Sequence, residues 1–409
     1  MLIHWIWLAT RPELHERQKL AVLDAFGDPE EVFYGEKASY AKVEGMTQAG
    51  VEALADKDLT QAQEILDQCV EKGIQVCTYH DGAYPVRLKN IADPPVVLYY
   101  KGNLAGLDSA PVIGVVGTRK ASAYGLTTAK RMGYQIARCG GILVSGLAEG
   151  NDGSAMAGAL MAGGTVVGVL GCGADVVYPA MHRSLYLDTE RNGCLISEFP
   201  PNTPPYKWNF PKRNRLISGL SNGVLVVEAP HGSGSLITAR QAADQGRDVF
   251  VVPGNIDVPT FQGSNALLRD GAIAVSSGWD VVSEYVMLYP DKIHQDSGVI
   301  PFKSDSGENM AKVAQKPTLF EKRSLFDRKK EKKPVDNKQK KPYSDQQDIL
   351  ATLSEEEREL LKPLKNGEIL VDDLIADSGL SASKVLSMLT MLQIRGVVEL
   401  LPGKRVTLK

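Results

Sequence analysis

Between residues 112 and 252 the chain repeats one unit. A short, largely apolar run leads into a glycine-rich polar stretch, and then into a segment with apolar residues every three or four positions. The runs are Val112–Val116, Ile142–Val144, Thr165–Leu170, Cys194–Ile196, Val224–Val227 and Val249–Val252, and most of their residues are β-branched. Thr127–Arg138, Gly153–Met161, His182–Glu190, Arg213–Gly219 and Ser235–Gln245 carry the helical spacing. Near-continuous apolar strands alternating with helices predict an α/β fold, a doubly wound and mostly parallel sheet covered on both faces. Right-handed crossovers then bring every strand-to-helix loop to one edge of the sheet.

The flanks follow other patterns. Residues 1–75 read as a small helical domain. The apolar start, MLIHWIWLATRPE, is short, lacks a basic leader and is broken at Arg11 and Pro12, so it is expected to be a first buried helix and not a signal peptide. Val43–Leu54 and Leu59–Gly73 are its clearest further helices. The segment VEGMTQAGVEAL has the form of a helix-hairpin-helix with Gly45 in the turn, which either contacts DNA backbone or simply packs. Two strand-like pieces, Gln75–Tyr79 and Val96–Tyr100, lie in a stretch punctuated by Pro85, Pro94, Pro95, Gly102 and Gly106, and are expected at the edge of the main sheet. From 287 to 344 apolar residues thin out, and Lys322–Lys341 is strongly basic, which predicts a flexible linker, either a basic tether or a solvated spacer. Residues 345–409 run helix, helix, turn, helix, hairpin, the layout of a winged helix. Ser354 and Glu357 form a capping-box signature at its start. Its candidate recognition helix, Ser381–Arg395, carries only Lys384 and Arg395, which favours protein contact or weak DNA contact over sequence-specific reading.

Composition narrows the partners. The chain has 409 residues, 43% of them apolar, room for two or three domains. The net charge of −3 restricts any nucleic-acid site to a local patch. Five scattered cysteines without a CxxC pair fit a reducing cytoplasm. No spacing suggests a metal site or a cofactor, and no run approaches a membrane span. A P-loop is absent, and the first turn has no GxGxxG, so neither ATP hydrolysis nor a dinucleotide is favoured.

Candidate chemistry gathers in the loops of the predicted rim. Gly117–Gly125, GTRKASAYG, joins a buried strand to a helix. Gly117, Thr118, Arg119 and Ser122 there suit a phosphate, though a solvated turn has the same composition. Ser145 and Gly146 end the next strand in the same manner. In KWNFPKRNR, the donors Lys207, Lys212, Arg213, Asn214 and Arg215 alternate with Trp208 and Phe210, and Tyr206 precedes them. Cations beside exposed rings suit single-stranded nucleic acid, while buried rings would merely anchor a long loop. Ser233, Gly234, Ser235 and Thr238 offer a further anion site, with Ser235 as the expected helix cap. Several mild anion sites along one rim suit a polyanion better than a mononucleotide. The acids Glu149, Asp152, Asp175, Glu198, Glu228 and Asp257 either include a carboxylate pair able to hydrolyse a glycosidic bond or cap helices and pair with arginines.

Taken in order, GTRKASAYG, SGLAEGND, GCGADVVYP, ISEFPP, FPKRNRLISGLS, VVEA with GSGSLITARQAADQGRDVFVVPG, and GSNALLRDGA resemble the DNA-processing protein A (DprA/Smf) family over residues 76–286. The resemblance implies an extended Rossmann-like domain, a non-enzymatic protein, and sequence-independent binding of single-stranded DNA. It also implies loading of the RecA recombinase onto incoming strands in natural transformation, and a homodimer through 261–285. Arg119 would be a main phosphate contact, with Lys212, Arg213 and Arg215 in the same groove. The chain departs from the family pattern at Asn151 and Met156, where Ile and His are usual, at Glu149, and at His182, where Asn is usual. The alternative is a nucleotide-processing enzyme of the LOG-like Rossmann type, whose PGGxGTxxE loop this chain replaces with EAPHGSGS. A transcription factor acting through the tail is a third reading.

Overall fold

The computed structural model describes residues 1–296 and, further on, 355–380, 397–401, 405–408 and a few positions in between. Nine strands form one sheet: β1 (Gln75–Thr78), β2 (Val97–Gly102), β3 (Val112–Val116), β4 (Ile142–Ser145), β5 (Val166–Leu170), β6 (Gly193–Ser197), β7 (Gly223–Val226), β8 (Asp248–Val251) and β9 (Ile273–Ala274). Their spatial order is β1-β2-β6-β5-β4-β3-β7-β8-β9. The seven strands from β6 to β9 in that order are parallel, and β2 and β1 extend the edge antiparallel. Burial explains the sequence pattern, because every residue of β3, β4, β5, β6 and β7 is covered on both faces.

Six helices lie along residues 1–75: α1 (Leu2–Ala9), α2 (Glu16–Phe26), α3 (Pro29–Tyr34), α4 (Lys37–Tyr40), α5 (Gln48–Ala55) and α6 (Thr60–Glu71). The apolar start buries His4–Leu8, and Trp7 and Leu8 are fully covered. These helices share a core with Val96, Val97 and Tyr99, so they pack on the β2 edge of the sheet. Gly45 takes φ +73 in the turn between α4 and α5.

After α7 (Val86–Lys89), the crossovers wind twice. α8 (Ala123–Arg138), α9 (Asn151–Met161) and α10 (Arg183–Asn192) connect β3 to β4, β5 and β6 in turn, and pack on one face together with α14 (Gly278–Val282). α11 (Asn209–Leu220), α12 (Gly234–Asp244) and α13 (Gln262–Arg269) connect β6 to β7, β8 and β9 and cover the other face. The chain continues against this body past residue 286, where the linker was expected to begin. Ile293 is buried, His294 N–H donates to Cys139 O at 3.3 Å, and Arg138 pairs with Asp296 at 2.6 Å. The rest of the expected linker, the Ser354 cap and much of Ser381–Arg395 lie outside the described residues.

A second unit holds α15 (Glu355–Leu361), α16 (Val371–Ser378) and a three-stranded sheet ordered β10 (Ile369–Leu370), β12 (Arg405–Leu408), β11 (Val398–Leu401). Its core includes Leu360, Leu374, Val385, Leu389, Leu392, Val398 and Val406. This is the winged-helix layout, with β10 as a strand that the sequence pattern did not signal.

Candidate nucleic-acid interface

The winding reverses at β3. Strands β4, β5 and β6 lie on one side of it and β7, β8 and β9 on the other, so a crevice opens beyond the carboxyl ends of β3 and β7. The loop after β3 closes against the loop after β7, where Thr118 N–H donates to Glu228 O at 2.7 Å. Ser122 caps α8, its Oγ accepting from Gly125 N–H at 3.0 Å. The Ser122 N–H and Oγ then donate to the Glu228 carboxylate at 3.0 and 3.2 Å. Gly125 is required here, because a Cβ would run into that carboxylate. A helix N-terminus does attract an anion, but at α8 the anion is Glu228, fully buried in the chain's own interior.

The end of β4 is occupied in the same way. Ser145 Oγ donates to Val115 O at 2.6 Å, and Gly146 N–H donates to Asp152 Oδ2 at 3.1 Å. Ser122, Ser145 and Gly146, expected to hold phosphate, therefore have their donors engaged internally. Burial pushes the Asp152 carboxyl up from its usual range and the Arg213 guanidinium down, each partly offset by the other's charge.

The run KRNR proves to be helical, because α11 starts at Asn209, four residues earlier than its apolar spacing suggested. A helix turns successive side chains by about 100°, so the four residues cannot share one surface. Lys212 is exposed, whereas Arg213 and Arg215 are 4% and 8% exposed. Arg213 donates to Gly146 O at 2.9 Å and to Val169 O, and its Nε to Asn214 Oδ1 at 3.2 Å. Arg215 pairs with Glu198 at 2.5 Å and Asp93 at 3.1 Å. Both arginines thus bind the fold together and are withdrawn from the groove in which they were expected. Thr238 is likewise buried within α12.

What remains open is a narrower strip. Arg119, Lys120, Lys207 and Lys212 are exposed, and none enters an ion pair among the described residues. The Arg119 guanidinium sits 5.1 Å from the centre of the Phe210 ring, which joins the β3 loop to the start of α11. Just before Phe210, Tyr206 and Trp208 stack with centroids 4.6 Å apart and planes 9° apart. They are 44% and 64% exposed. The N-terminus of α12 completes the strip. Its cap is Ser233 rather than Ser235, Gly232 and Gly234 are exposed, and no acid stands in its first turn. Asn214 Nδ2 donates to Gly234 O at 3.5 Å, linking α11 to this end. Lys120 and the exposed Tyr124, edge-on to Phe261 at 5.8 Å, belong to the same rim. Both stand in GTRKASAYG, beside Arg119 and Ser122.

The departures at 149–156 also find places. Asn151 is fully buried. With its amide oriented to satisfy both ends, it donates to Gly125 O at 3.1 Å and accepts from Thr118 N–H at 3.2 Å. Gly117 has no Cβ because Asn151 lies against it. Met156 is core, His182 Nδ1 lies 2.9 Å from Leu147 O, and Glu149 is exposed.

Residues 75–286 match the family model for DNA recombination-mediator protein A, and residues 344–404 match that of the DprA winged-helix domain. The DNA processing protein DprA of Bacillus subtilis is 44% identical over 214 residues, 52% of this chain and 72% of that protein. Protein Smf of Synechocystis is 32% identical over 346 residues, 84% of this chain and 82% of that one. The X-ray structure of DprA from Streptococcus pneumoniae superposes with a TM-score of 0.62 at 34% identity, covering 69% of this chain and 98% of that one. The chain belongs to the DNA recombination-mediator protein A family.

Proposed function

We propose that this protein is a cytoplasmic, non-enzymatic mediator that binds single-stranded DNA without sequence preference and loads RecA onto incoming strands in natural transformation. The observation that carries the reading is the open strip at the switch point. Arg119, Lys120, Lys207 and Lys212 are exposed with no ion pair among the described residues, Lys207 stands between the two rings of the exposed Tyr206–Trp208 stack in sequence, and Arg119 sits against Phe210. Phosphates answer to the cations and unpaired bases to the rings, since every base offers a face to stack on. At the N-terminus of α12 the exposed Gly234 adds a backbone N–H for a further phosphate. Fully paired duplex offers no base faces to Trp208, so the strip favours an unpaired strand.

The acids of the rim argue in the same direction. Glu228 holds the start of α8, Asp152 holds the end of β4, and Glu198 holds Arg215. That engages three of the six rim acids within the fold, which weighs against the LOG-like alternative. A homodimer through 261–285 would use β9, an edge strand with Ile273 exposed, because Phe261, Val281, Val282 and Tyr285 face the core. Titrating mixed-sequence single- and double-stranded oligonucleotides over several salt concentrations tests the binding. The expected result is tighter single-strand binding with a negative salt slope. Salt-independent binding, or preference for duplex, would defeat the reading. Strand exchange with RecA on pre-coated DNA tests the loading step, and sedimentation tests the dimer.

A further inference from the structure

Where the N-terminal helices meet the sheet edge, a cleft of about 940 Å³ collects polar atoms that have no partner. Tyr99 on β2 is 1% exposed, and its hydroxyl makes no hydrogen bond. Arg215 is 8% exposed; Asp93 and Glu198 take two of its nitrogens, and the remaining terminal nitrogen is unpaired. Glu198 keeps one carboxylate oxygen free of partners. So does Glu16 of α2, whose other oxygen accepts from Lys19 at 2.8 Å. All four side chains line this single cleft. A buried polar atom without a partner is costly to the fold. A concentration of them in one concavity is the mark of a ligand with complementary groups.

The set specifies that ligand. Arg215 offers an N–H donor next to an acceptor oxygen of Glu198, and Tyr99 can serve in either role. The complement is a flat edge carrying N–H donors beside a carbonyl oxygen. Guanine alone among the DNA bases presents two adjacent N–H donors next to a carbonyl acceptor on its pairing edge. Phe199 and Pro200 supply ring surface on the same wall. Arg17 and Lys212 also line the cleft, are exposed, and have no ion pair among the described residues. They are suited to a phosphate.

We propose that this cleft is a guanine-nucleotide site, with the base read by Tyr99, Glu198 and Arg215 and the phosphate held by Arg17 and Lys212. It goes beyond the strand-binding strip and shares only Lys212 with it. The nucleotide is either a free mononucleotide or one residue of a bound strand, and the test separates the two.

Calorimetric titration of the full chain with dGMP, dAMP, dCMP and dTMP is the first arm. The expected result is that dGMP binds about tenfold or more tighter than the others. Tyr99→Phe and Glu198→Gln should each weaken dGMP about tenfold while binding of oligothymidylate stays unchanged. Tyr99→Phe removes only a hydroxyl that bonds nothing in the chain, so it folds whether or not Glu198→Gln does. The second arm compares oligothymidylate with the same strand bearing one central dG. A gain from dG that excess dGMP competes away assigns the site to the strand. A dG without effect, with dGMP still bound, assigns it to the free nucleotide. Equal affinity for all four mononucleotides, no binding of any, or indifference of dGMP to Tyr99→Phe overturns the proposal. Loss of oligothymidylate binding with dGMP binding intact would instead strike at the strand-binding strip.

Discussion

The N-termini of α8 and α12 look alike in sequence and differ in the fold. Each follows a central strand, each is glycine-rich, and each is capped by a serine, Ser122 or Ser233. At α8 the cap N–H meets the carboxylate of Glu228, 106 residues further along the chain. At α12 the first turn carries no acid, and its glycines face outward. The same division runs along the rim, with Asp152 and Arg213 closing the end of β4 while Arg119, Lys120, Lys207 and Lys212 stay unpaired. An anion-binding motif therefore reports only that an anion is wanted. Whether the protein supplies its own decides between architecture and function.

The largest effect expected from this division is at Arg213. Arg213→Ala should destabilise the fold by about 3–5 kcal/mol, because it strands Gly146 O, Val169 O and the buried charge of Asp152. Denaturant unfolding measures this, and Lys212→Ala next door should change stability by no more than about 0.5 kcal/mol. A stable Arg213→Ala variant with weakened DNA binding would reverse the division. Next in size is Trp208→Ala, expected to cost about 1–3 kcal/mol of single-strand binding with little change in unfolding. Anisotropy titration reads it, and unchanged affinity would remove the Tyr206–Trp208 stack from the interface.

These contrasts also show what the sequence could carry. β3 was legible to the residue, because burial on both faces leaves an unbroken apolar run at Val112–Val116. Helix starts were read late, at Thr127 for Ala123 and at Arg213 for Asn209, because a polar first turn resembles a loop. That delay put Arg213 and Arg215 in the first turn of the helix, next to the groove, when they stand a full turn further in. β9 was missed because it is two exposed residues long. The reach of the domain to Asp296 rests on one apolar side chain, Ile293, one backbone hydrogen bond from His294 and one ion pair, none of which makes a pattern. Pairing over long sequence separation, as between Ser122 and Glu228, is invisible to any local reading, yet it determines which donors remain free.

Glu228→Gln tests the filled side more finely. It replaces an acceptor-only group facing the Ser122 N–H and Oγ with one that must turn an NH₂ toward them or elsewhere. A loss of about 1–2 kcal/mol in stability is expected, with single-strand affinity at a fixed salt concentration unchanged. If affinity rises instead, Glu228 has been occupying a site that phosphate can use.

The smallest effects expected belong to the open side, and they are the most diagnostic. Arg119→Ala and Lys120→Ala should each reduce the salt slope of single-strand binding by about 0.7, the value of one phosphate contact. Neither should alter unfolding, since neither side chain is paired within the fold. Arg119 has a second tie, its ring contact with Phe210 at 5.1 Å. That contact aims the guanidinium without neutralising it, so Arg119→Lys should keep the slope and lose affinity through poorer positioning. A slope that falls for Lys120→Ala but not for Arg119→Ala would mean that Phe210 holds the guanidinium away from the strand. The open strip would then run through Lys120, Lys207 and Lys212, with Arg119 joining Arg213 among the structural cations.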